Sequence, residues 1–163
     1  MADTREIMTE WLRDAHAMES AAVNNYESQV DSLDGFPDLK TAFSQQLELT
    51  RNNAKRIDDQ LEALGEDPST LKDLVTKAAG KLQAWTAGSS PDEVVKQAVT
   101  TLAYEAWEVA NFRALAAAAE HEGEASLMSL FQGMAEEKAH AVEWLSTRIP
   151  DITRRYLDMR QAQ

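Results

Sequence analysis

Residues 103–112 read AYEAWEVANF, and one position in them, Glu105, decides how the chain is read. Extended in both directions, this segment carries Val95, Ala98, Leu102, Glu105, Val109, Phe112 and Ala116 at steps of three and four. That is the period of a helix with one apolar face. Glu105 interrupts the face between Leu102 and Val109, and Glu108, three residues on, shares its side. A carboxylate inside an apolar stripe has to be neutralised, paired or metal-bound, because burying it alone costs several kcal/mol.

The rest of the chain repeats the helical period around this segment. A first helix begins at Asp3, with Glu6 placed to complete a capping box. Its inner stripe is Met8, Leu12, Ala15, Glu19, Ala22, Tyr26, Val30 and Leu33, and the turn DGFPD (34–38) ends it. A second helix over about 39–64 carries Phe43, Leu47, Thr50, Ala54, Ile57, Leu61 and Leu64 inward, with Gly65 as the stop. Asp67-Pro68 opens a shorter bridging helix, about 68–87, with Leu71, Leu74, Val75 and Leu82. Ser90 and Pro91 then start the helix that contains Glu105 and runs to about Glu120. His121 at its end complements the helix dipole. After HEGE a fourth main helix covers about 125–147, and Pro150 is expected to begin a short terminal helix with Ile152, Tyr156 and Leu157. No segment alternates with the period of a strand. The expected fold is all-α: a single-domain antiparallel four-helix bundle over 1–163, with a short bridging helix between the second and third long helices and a short C-terminal helix.

Two other helices place polar groups where Glu105 points. Glu19 interrupts the first stripe between Ala15 and Ala22. In GMAEEKAHAVEWL (133–145), Glu137 lies on the flank of the fourth stripe with His140 three residues on, the spacing by which a bundle helix offers a carboxylate and an imidazole to one metal. The same spacing also occurs on any exposed polar face. His16, one turn before Glu19, is either an extra ligand or an ordinary amphipathic-helix histidine. Like charges cannot stay ionised and dry without a cation, and carboxylates with one imidazole suit iron or manganese better than calcium or structural zinc.

Together, LRDAHAME (12–19), TAFSQQLELTRNNAKRIDDQLEALG (41–65), AYEAWEVANF (103–112) and AEEKAH (135–140) resemble the YciF-type branch of the ferritin-like superfamily, over nearly the whole chain and in the same helix order. Rubrerythrins share the Glu-x-x-Glu of the third helix and the Glu-x-x-His of the fourth. The resemblance implies a four-helix bundle with a dinuclear iron centre, or manganese or a single divalent metal in its place. It also implies ferroxidase or peroxide-related chemistry on O2 or peroxide, a stress-response role and a homodimer. Transferred by position, the metal ligands are Glu19, Glu105, Glu108, Glu137 and His140. The second helix departs from the pattern: Thr50 and Asn53 stand where the rubrerythrin pattern has Glu and His, and offer at most a hydroxyl and a carbonyl oxygen. Glu48 is near, but its helical angle points it away from the inner stripe.

Bulk composition narrows the alternatives. The 163 residues include 28 acidic and 16 basic, a net charge of −12, which disfavours nucleic-acid and anionic-membrane partners. The absence of Cys excludes thiol catalysis and zinc-thiolate sites. The charged N-terminus has no apolar core segment and no apolar run reaches membrane-spanning length, so a cytoplasmic protein is expected. Two functions follow as expectations. One is a metal-binding oxidoreductase of the ferroxidase type, with its chemistry at the metal ligands. The other is a non-catalytic helical bundle with a degenerate or mononuclear site, its inward carboxylates satisfied by Arg51, Arg56, Lys138 or water.

Overall fold

The computed structural model of the chain describes residues 3–67, 71–86 and 93–162. These residues form five helices and no strands: α1 (Thr4–Val30), α2 (Pro37–Ala63), α3 (Leu71–Thr86), α4 (Val94–His121) and α5 (Ala125–Gln161). α1 starts with the expected capping box, in which the Asp3 backbone N–H donates to Glu6 Oε2 at 3.2 Å. Met8, Leu12, Ala15, Glu19, Ala22 and Tyr26 of its predicted stripe are buried. The chain reverses through 31–36 and re-enters a helix at Pro37, which needs no amide donor at that position.

Gly65 ends α2 as expected. Its φ of +80° lets its N–H reach Glu62 O at 2.9 Å while the Glu66 N–H reaches Leu61 O at 3.1 Å. Nothing lies within 4 Å of a β-carbon built there, so Gly65→Ala carries only the backbone cost, about 1 kcal/mol of lost stability. Gly80, mid-helix in α3 with open space around it, should do the opposite: Gly80→Ala is expected to gain up to about 1 kcal/mol. Urea unfolding of the two variants measures this contrast in sign.

α4 packs most extensively on α5 and α1 on α2, while α3 lies along α1. Two apolar clusters fill the bundle. One gathers residues such as Leu12, Ile57, Phe112 and Phe131; the other gathers Tyr26, Phe43, Leu145 and Ile152. The seam between α2 and α5 is tied by polar side chains: Lys138 to Thr50, Arg56 to Glu137 at 3.6 Å and Arg155 to Asp38 at 2.9 Å.

Two expectations change. The separate terminal helix does not exist, because α5 runs unbroken for 37 residues with Pro150 inside it. Proline removes the amide that would bond to the carbonyl four residues back, and both Pro150 and Ser146 are exposed, leaving that carbonyl to water. Buried Ile152 and the Arg155–Asp38 pair hold the final turns on the bundle. On α2, Asn53 rather than Ala54 is buried. The expected start of the bridging helix at Pro68 and the Ser90-Pro91 cap fall at 68–70 and 87–92, outside the described residues.

Candidate functional site

Three of the predicted carboxylates meet in the middle of the bundle. Glu19 from α1 and Glu105 and Glu108 from α4 are completely buried. The cation among them is Lys138 of α5, also completely buried. Its Nζ lies 2.9 Å from Glu108 Oε2, 3.3 Å from Glu19 Oε1 and 3.5 Å from Glu105 Oε1. It also donates to Thr50 Oγ1 at 3.1 Å, bringing α2 into the cluster. Tyr26 donates its hydroxyl to Glu105 Oε1 at 2.5 Å, and Tyr104 donates to the Met18 carbonyl at 2.8 Å.

Helical geometry explains why lysine enters and its neighbours do not. Phe131, Met134, Ala135, Lys138, Ala141 and Leu145 are the buried positions of α5, a stripe of threes and fours that includes residue 138. At about 100° per residue, position 137 falls on the flank and position 140 on the far side of the helix. Glu137 is accordingly half-buried and pairs with Arg56. His140 is exposed and lines a separate cavity between α2 and α5. Among the described residues, no hydrogen bond or ion pair joins the expected fourth-helix arm, Glu137 with His140, to Glu19, Glu105 or Glu108. Met134–Lys138–Ala141 was the available signal, masked by the more familiar Glu-x-x-His spacing.

The remaining expected positions surround this arrangement. Asn53 is buried, and its Oδ1 accepts from Arg56 at 3.0 Å. Glu48 is exposed and pairs with Arg51, as its helical angle required. His16 faces Asp58 at 3.8 Å, and burial lowers its pKa.

One ammonium is a small counterweight to three carboxylates. Burial is the largest influence on Glu19 and raises its pKa to about 7, with Lys138 pulling it down and Glu105 pushing it up. Burial and the Glu19 charge hold Glu108 well above the ordinary carboxylate range. Burial works against the Lys138 charge, but Glu105, Glu108 and Glu19 outweigh it and keep the ammonium protonated. At neutral pH the cluster is thus balanced by one ammonium and by protons held on Glu108 and, in part, on Glu19.

A dinuclear metal centre does not fit these side chains. The Lys138 ammonium sits where the three carboxylates would have to hold a cation, and two charges of one sign cannot share that space. α2 contributes the Thr50 hydroxyl, and the His140 imidazole of α5 lines the separate cavity instead. Among the described residues, no group of three or more His, Cys, Asp or Glu is placed to hold a metal ion. No described helix is long and apolar enough to cross a membrane.

A family model described as "Domain of unknown function (DUF892)" matches residues 3–158. Among solved structures, a protein from Xanthomonas campestris pv. campestris str. ATCC 33913 is 26% identical at a TM-score of 0.80, over 98% of this chain and 99% of that one. The E. coli stress protein YciF is 19% identical at a TM-score of 0.79, over 94% of this chain and 99% of its own. YcfI from Rhodopseudomonas palustris is 20% identical at a TM-score of 0.68, over 90% of this chain and 94% of its own.

Proposed function

We propose that this chain, which belongs to the DUF892 family, is a non-catalytic helical-bundle protein whose interior carboxylates are held by Lys138 without a metal. The observation that supports this reading is the Lys138 ammonium within 2.9–3.5 Å of Glu19, Glu105 and Glu108. A buried cation supplied by the chain is available in every folded molecule, needs no loading step and cannot change oxidation state. Four helices are tied at one point, through Glu19 on α1, Thr50 on α2, Glu105 and Glu108 on α4, and Lys138 on α5. The cluster then fixes helix register, a role that buried polar groups fill in other bundles. Activity in this reading lies on the surface of the bundle, as a structural or interaction module.

Metal response separates this reading from ferroxidase chemistry. Elemental analysis of the purified protein should give well under one iron or manganese per chain. Anaerobic Fe(II) or Mn(II) should leave the melting temperature unchanged, because a ligand that binds only the folded state would raise it. One or two tightly held irons per chain, with oxo-bridged diferric absorption after exposure to oxygen, would reject the proposal.

A further inference from the structure

His140, displaced from the carboxylate cluster, takes part in a different feature. A cavity of about 210 Å³ opens between α2 and α5, lined by Phe43, Gln46, His140, Trp144 and Leu145, and by Tyr26 of α1. Its surface is mostly apolar, which is the usual character of small-molecule pockets. The walls are fixed from behind. Tyr26 is anchored by its bond to Glu105 and meets Phe43 edge-on, with ring centroids 5.2 Å apart. The Arg148 guanidinium lies over the Trp144 ring at 5.5 Å.

We propose that this cavity binds a small neutral aromatic molecule carrying one hydrogen-bond donor, of the phenol class. Three observations on the page select that chemistry. Aromatic walls on two helices favour a flat ring seated against them. Gln46 lines the cavity, and its Oε1 accepts no hydrogen bond among the described residues; rotation of the amide about its last torsion turns that buried acceptor to the cavity, where a donor would satisfy it. The net charge of −12 and the carboxylates behind Tyr26 make an anionic ligand unfavourable. The volume accommodates a single substituted ring. This site is separate from the Lys138 cluster, and it stands or falls independently of whether that cluster holds a metal.

Three probes of one shape test the assignment on the full chain: p-cresol, toluene and p-toluate, followed by two-dimensional amide NMR. The expected result is saturable binding of p-cresol with shifts at Gln46, His140 and Trp144, and nuclear Overhauser contacts from its methyl group to the Phe43 and Trp144 rings. Toluene, which lacks the donor, should bind about five-fold more weakly, the scale of one net hydrogen bond, and p-toluate should not saturate. Gln46→Leu should bring p-cresol down to the affinity of toluene. Ala42→Phe, at the half-buried rim, should abolish binding of both. Absence of saturable p-cresol binding overturns the proposal, as does toluene binding as tightly as p-cresol. The Overhauser contacts in the wild-type protein decide the location even where a variant fails to fold, and contacts to rings other than Phe43 and Trp144 also overturn it.

Discussion

Lys138→Met is expected to destabilise the protein by about 3–5 kcal/mol at pH 7.5, the cost of removing one partner from a buried ion pair. Methionine fills nearly the same volume and keeps the helix propensity, so little of the loss is packing. What remains is Glu19, Glu105 and Glu108, all completely buried, with no ammonium among them. Protonation of Glu19 and Glu108, both already raised above the ordinary carboxylate range, then removes charge from the cluster, so the variant should recover much of its stability at pH 5. Urea unfolding of both proteins at the two pH values measures the effect. A loss below about 1 kcal/mol at pH 7.5 would mean that Lys138 is not the counterion of the cluster. Methionine also vacates the cation position, so Fe(II) or Mn(II) should raise the melting temperature of Lys138→Met while leaving the wild type unmoved.

The second large effect comes from the excess of acid over base in the same cluster. Glu19 has a pKa of about 7 in the folded protein against an ordinary 4.5. Below about 4.5 the carboxyl is protonated whether the chain is folded or not, and it imposes no penalty. As pH rises towards 7 the unfolded chain releases the proton and the folded one retains it, so stability falls. The penalty is complete above the folded value, at about 3 kcal/mol for a shift of that size. Glu108, held well above the ordinary range, acts in the same direction. Wild-type protein should therefore be more stable at pH 5.5 than at pH 8.

Glu19→Gln keeps the shape and cannot ionise. It should raise stability at pH 8 by up to about 3 kcal/mol and flatten the dependence on pH. The attraction of Lys138 is already contained in the raised pKa of Glu19, so losing that contact does not reverse the sign. Melting curves from pH 5.5 to 8 provide the check. A wild type that gains stability with rising pH, or a Glu19→Gln variant that melts below it at pH 8, would show that the carboxylates are fully compensated by partners.

Much of this cluster is legible from periodicity. Glu19 and Glu105 each replace an apolar residue in a stripe of threes and fours, and both are buried where the period puts them. Glu108 follows from Glu105 by helical spacing. Thr50 lies on the predicted stripe of α2 and is buried. Asn53 is buried too, one position from the Ala54 that the stripe favoured, because both lie on the boundary of a face about two residues wide. The unbroken α5 was hidden by Pro150, whose local effect on the backbone is strong and whose compensation comes from distant contacts such as Arg155–Asp38.

By itself, the sequence determined the helical character of the chain, a break near DGFPD (34–38) and another at Gly65, and the inward placement of Glu19, Glu105 and Glu108, since each of these depends on the spacing of residues along one chain segment. Tertiary structure alone decided what neutralises them. Glu137, Lys138 and His140 lie about 60° to 160° apart around one helix axis, and the docking of α5 on α4 fixes which of the three faces inward. That rotation put an ammonium, not an imidazole, among the carboxylates, because a buried negative cluster is stabilised by the positive charge that reaches it with its stem still packed in the apolar core.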